Sequence, residues 1–278
     1  MTVRVVTDSG ADIAPDLACE LSITIIPNYV HFGTSTYRNG IDITASEFYP
    51  RLAQKRPLPT TSSVSPGAYA EVFNRIAAEA NEIISLHLPT QLSAGFNSAS
   101  VARDWVKECR IEVIDTGSAS IGMGLVAIEA ARLAQQGASL EEVVAMVRGL
   151  LPRLHLLALL ETTEYALKGG RLGKAGLILG SIVKIRALIR LRQGEVHPVG
   201  IARTRRKAID RIYEWVQGFP SIRELAIAHS AAAEEAQGLA DRLGSIFPRE
   251  RIYVSVISPA LGTHTGPGAL GVALIEDR

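Results

Sequence analysis

Through the first half of the chain, short β-branched runs alternate with longer stretches of helical periodicity, and this alternation constrains the fold more than any other feature. Apolar runs at residues 3–6, 25–32, 83–88 and 111–114 are separated by helical patterns at 12–21, 66–80 and 93–106. Strands joined through helices pair in parallel, because a tight hairpin cannot return the chain in the same direction. Helix starts are marked by Ser65 with Pro66 at the first helical position, and by Ser139 with Glu142, a capping box. Helical patterns at 120–135 and 140–150, with Gly137 between them, close this half.

After His155 the pattern changes. Residues 181–191 and 196–202 flank Gln193-Gly194 and read as a hairpin, so a mixed sheet is expected there. A helix at 204–216, a strand at 225–229, a helix at 231–243 and strands at 252–257 and 269–275 follow. The expected architecture is two α/β domains, residues 1–155 with a mainly parallel sheet and residues 156–278 with a mixed one, the ligand lying between or within them.

Composition narrows the function. The 278 residues carry 29 Lys and Arg against 28 Asp and Glu, which argues against a surface built as a whole to neutralise nucleic acid. Two distant cysteines, Cys19 and Cys109, support neither a zinc framework nor a disulfide scaffold, and the six histidines lack ligand spacing, so no metal is expected. The N-terminus reads as a strand rather than a secretion signal, and Lys184, Arg186 and Arg190 interrupt the most apolar stretch. A cytoplasmic protein without membrane insertion is expected.

Nucleotide motifs fail on inspection. Residues 266–271 spell G-x-G-x-x-G, but too little chain follows for the helix, second strand and ribose-binding acid of a dinucleotide site. The variant at 122–127 reads as a helix start, and Gly173-Lys174 lacks the rest of a P-loop.

Three hydroxyl-rich turns remain: Thr7-Asp8-Ser9, Thr60-Thr61-Ser62-Ser63, and Gln91-Leu92-Ser93-Ala94-Gly95. Ser93 is expected to cap a helix beyond a parallel strand, where free N–H groups favour an anion. From spacing alone, simple capping and turn roles for these residues are the commoner outcome. His264 falls in a glycine-rich segment, 262–268, read as a loop between two strands. Residues 168–207 hold eleven Lys and Arg and one acid, Glu195, which is either a solvated face or a surface for phosphate or an acidic partner.

Thr7-Asp8-Ser9, Pro59-Thr60-Thr61-Ser62, Leu92-Ser93, Ile114-Asp115-Thr116, Gly169-Gly170-Arg171, Arg203-Thr204 and the 262–268 segment together resemble the DegV family, in its order, from first strand to last. The resemblance implies a bacterial fatty-acid-binding protein of two α/β domains, similar to the acyl-carrier subunit of fatty acid kinase. It implies a long-chain fatty acid as ligand, with Thr61 and Ser93 holding the carboxylate, Ser62 and Ala94 beside them and His264 nearby. It also implies no cofactor and no catalytic residue in this chain, because a separate ATP-dependent kinase would phosphorylate the acid; Arg171 and Arg203 would help dock it. Ala94 stands where the family commonly has glycine, so an anion contact there requires a turn without positive φ. Two other readings compete: an acyl hydrolase using Ser93 with His264 as base, and a nucleic-acid-binding regulator acting through 168–207.

Overall fold

The structure is a computed structural model that describes residues 3–54, 57–173, 175–176 and 186–277. The first half builds a four-stranded, wholly parallel sheet in the order β2-β1-β6-β7 from β1 (Val3–Asp8), β2 (Thr24–Ile26), β6 (Glu82–His87) and β7 (Arg110–Asp115). Side chains alternate along each strand, yet both faces are covered. Val5, Ile84 and Leu86 face α1 (Pro15–Glu20), α5 (Ile121–Gln135) and α6 (Leu140–Leu150), while Val6 and Ile83 face α3 (Pro66–Ala77) and α4 (Gly95–Trp105).

The second half forms a six-stranded mixed sheet, β10-β9-β8-β13-β11-β12. Its strands are β8 (Leu154–Leu160), β9 (Arg186–Arg192), β10 (Glu195–Ala202), β11 (Ile222–His229), β12 (Tyr253–Val256) and β13 (Leu270–Glu276). All neighbours are antiparallel except β11 and β12. Gln193 and Gly194 join β9 to β10 with φ of 50° and 79°, the two left-handed residues of a tight hairpin turn. The expected strand residues 181–185 lie outside the described residues. Leu157 and Leu159 pack outward under α8 (Arg205–Gln217) and α9 (Ala233–Leu243), whereas Leu156 and Leu160 face inward toward α5.

Helix α5 therefore serves two cores. Met123, Val126 and Ala127 pack on the first sheet, Ile121 and Leu125 on the second, and the helix is apolar nearly all round for that reason. Gly122 and Gly124 permit the approach: a Cβ would meet Ser118 Oγ at 2.5 Å in one case and the Ala11 carbonyl at 2.5 Å in the other. The capping box is present at α6, where Ser139 accepts from the Glu142 amide and the Glu142 carboxylate accepts from the Ser139 amide.

Several expectations are corrected. The run 25–32 divides at Pro27-Asn28, and its second half, β3 (Tyr29–Phe32), leaves the parallel sheet to pair with β4 (Ser35–Arg38) and β5 (Thr60–Ser62) in a separate antiparallel sheet. Beneath it packs α2 (Ala45–Gln54) through Phe48 and Leu52. The 12–21 helix is shorter: a 3-10 turn, Ser9–Ala11, ends at Asp12 in left-handed geometry, and α1 starts at Pro15. His264 lies on a helix, α10 (Pro259–Thr265), not in a loop; Ser258-Pro259 supplies the start signal that the glycines obscured. Ala94, not Ser93, is the N-cap residue of α4.

Candidate functional site

In an open parallel sheet, ligands collect where the strand order reverses, outside the carboxyl ends of the strands. Here β1 leads to β2 on one side while β6 and β7 lie on the other, so the reversal falls between β1 and β6. A cavity of about 390 Å³ opens there. One wall comes from segments just past the strand ends, carrying Asn28, Leu88, Ser93 and Ser120. The opposite wall is the inner face of the mixed sheet, with Leu156, Ala158, Leu160, Ile189 and Leu191. Thr61 of β5 and His264 of α10 also line it. Among the described residues no helix is long and apolar enough to cross a membrane, and no group of three metal-ligating side chains occurs.

The polar groups converge. Thr61 Oγ1 and His264 Nε2 are 2.8 Å apart. Arg171 donates to the Leu92 carbonyl at 3.3 Å, beside Ser93, and to the Gly169 carbonyl at 2.7 Å. Burial, with the Arg171 charge second, lowers the His264 pKa to about 4, so the ring is neutral at pH 7 and carries one N–H. Its Nδ1 is buried without a partner among the described residues and packs on Gly169, where any Cβ would overlap it. Placing the proton on Nε2 directs the N–H at Thr61 Oγ1 and leaves only a lone pair at Nδ1, avoiding a stranded donor. The Thr61 proton is then free to donate elsewhere.

Ser93 Oγ accepts from the Gly95 amide at 3.2 Å, which also frees its own proton. Ala94 has φ of −83°, ordinary geometry for a side-chain-bearing residue, so no glycine is needed there. Ser62 lines the cavity with its hydroxyl 2.9 Å from His31 Nε2, and the other ring nitrogen of His31 is 2.9 Å from Thr36 Oγ1. Thr61, Ser62, Ser93, Ala94, Arg171 and His264 thus share one cavity. Arg203 does not: it is exposed ahead of α8, its carbonyl accepting from Arg186. Ser93 and His264 form no hydrogen bond with each other, and no carboxylate orients the imidazole among the described residues, so a nucleophile and base pair is not assembled.

Around the cavity, one turn that the sequence singled out is structural, and two residues that it did not single out, Asp12 and Asn28, hold the surrounding segments. Thr7-Asp8-Ser9 is framework: Thr7 donates to the Leu86 carbonyl, Asp8 accepts from Gly10 and Asn28 and sits 3.2 Å from His87 Nδ1, and Ser9 Oγ accepts from the Asn28 amide. Asp12 is buried, accepting from Ser120 Oγ at 2.6 Å and from the Ser258 amide at 2.9 Å, and burial pushes its pKa up to about 7. It ties the turn after β1, the start of α5 and the start of α10 together. Both Asp12 and Ser120 adopt positive φ, 51° and 53°. The polar Asn28 inside an apolar run was the one available signal.

Residues 2–277 match the family described as "Uncharacterised protein, DegV family". A DegV domain-containing protein of Caldanaerobacter subterraneus is 32% identical over 277 residues, with 99% of each chain covered. A fatty-acid-binding DegV family protein from Thermus thermophilus superposes with a TM-score of 0.90 at 30% identity, and DegV, a fatty acid binding protein from Bacillus subtilis, with 0.91 at 29%, both over the full length of each chain.

Proposed function

We propose a function for this chain from one premise: it belongs to the DegV family. It binds a long-chain fatty acid, the acyl chain lying between residues 1–155 and 156–278, and presents the carboxylate to a separate ATP-dependent kinase in the cytoplasm. The observation that carries this reading is one apolar cavity, about 390 Å³, with Thr61, Ser93 and His264 on its lining. Each methylene removed from water contributes about 0.8 kcal/mol, so the chain supplies affinity and the head group needs only orientation. Thr61 and Ser93 each have a proton to donate to a carboxylate oxygen. Neutral donors leave that oxygen more nucleophilic than a bidentate arginine would, which suits a phosphoryl acceptor. Arg171 at the rim and Arg203 on the surface contribute positive charge for docking the kinase. The chain itself supplies no phosphoryl-transfer group and needs no cofactor.

Mass spectrometry of an organic extract from purified protein tests this. Near-stoichiometric fatty acid is expected, reduced by Ser93→Ala; an extract without lipid, combined with no binding of added fatty acid, would overturn it.

A further inference from the structure

Among the described strands only β10 and β13 contain a glycine. Gly200 of β10 adjoins the register shift that follows Pro198, on the edge of the sheet, where a glycine is expected. Gly271 of β13 has no such reason. β13 is a central strand, and Gly271 pairs in unbroken register with Ala158 on one side and Ala228 on the other. Its φ lies outside the left-handed region, and a Cβ built on it would sit 3.9 Å from Leu156 Cδ1, 3.9 Å from the Ala228 carbonyl oxygen and 4.0 Å from Ala158 Cβ, all ordinary contacts. Alanine in its place would strengthen the strand, because glycine loses more backbone freedom on folding. The fold does not require this glycine.

The cavity supplies the reason. Gly271, Leu156 and Ala158 all line it, so a side chain at 271 would rise from its floor. A glycine inside a strand that neither bulges nor turns marks a place where another group approaches the backbone closely. Its position along the floor follows from β8. The Leu160 end of β8 runs on to the short helix Glu164–Lys168 and Gly169, which packs on His264, so this is the head-group end. Ala158, opposite Gly271, lies about 7 Å further along at ~3.3 Å per residue, and Leu156, paired with Leu191, as far again. An acyl chain running inward from the head group passes over Gly271 before it covers Leu156 and Leu191.

We propose that Gly271 is a specificity-determining residue: its missing side chain keeps the floor clear for an acyl chain long enough to reach Leu156 and Leu191, and so sets the chain length that the cavity accepts. The proposal rests on the fatty-acid reading above.

Calorimetric titration of delipidated protein with decanoic and hexadecanoic acids tests it. Wild type is expected to bind hexadecanoic acid more tightly, and Gly271→Leu to reduce that preference at least tenfold, since each methylene left in water lowers affinity about fourfold. Gly271→Ala is expected to reduce it about two- to fourfold, with the melting temperature of the ligand-free protein at or above that of wild type. An unchanged preference, whether both acids keep their affinity or lose it equally, overturns the proposal. So does a ligand-free Gly271→Ala that melts well below wild type, which would show that the strand itself needs the glycine. If Gly271→Leu does not fold, Gly271→Ala decides. Wild type that binds neither acid rejects instead the fatty-acid reading on which the proposal rests.

Discussion

At the residue scale, two buried groups make opposite contributions to stability as pH changes. The folded state keeps Asp12 protonated up to about pH 7, whereas an unfolded Asp releases its proton near 3.8, so raising the pH between these values destabilises the fold through Asp12. His264 titrates near 4 when folded and near 6.5 when unfolded, so lowering the pH between these values destabilises the fold through His264. Asp12→Asn removes the buried charge, keeps an acceptor for the Ser258 amide, and places at φ 51° a residue type that tolerates left-handed geometry. It is expected to stabilise the protein by about 1–2 kcal/mol at pH 8 and little at pH 5, as measured by urea unfolding. A loss of stability at pH 8 would show that the charge is needed to hold α10. Asn28 on the cavity wall and Asp12, which holds the lining residue Ser120, were not legible in the sequence, because their partners lie 20 and 108 positions away. Thr61, Ser93 and His264 were legible because each belongs to a short motif whose neighbours are distinctive, although the pairing of Thr61 with His264 spans 203 positions and needed the fold.

Among the elements, the contact of α10 with the end of α7 (Glu164–Lys168) is what seats the imidazole. Gly169 has φ of −74°, so its backbone accepts any residue, and among the described residues the side chain a Cβ would meet first is the His264 ring, at Nδ1. Gly169→Ala should therefore leave the helix content by circular dichroism unchanged while expelling the ring, at a cost of about 1–3 kcal/mol in overpacking, and should lower fatty acid retention. Retention equal to wild type would show that the ring position is immaterial. Elements with strong local signals were readable: the alternating strands, the capping box and the Gln193-Gly194 hairpin. The three-stranded sheet was not, since β4 and β5 have four and three residues and are held by cross-strand pairing with β3 rather than by local propensity.

For the whole molecule, the two sheets cannot part without exposing α5, whose Ile121 and Leu125 belong to one core and Met123 and Val126 to the other. Thermal unfolding is expected to be a single calorimetric transition with matching van't Hoff enthalpy, and two resolved transitions would show that α5 stays with one sheet alone.

The cavity wall draws on residues from Asn28 to Gly271, so an occupant touches segments from both halves of the chain at once. An unfolded chain offers no such wall, and a ligand at a hundred times its dissociation constant adds about 2.7 kcal/mol to the folded state. With the proposed fatty acid as that ligand, lipid supply would lengthen the time the protein survives proteolysis, and its abundance in a starved cell would fall before its synthesis did.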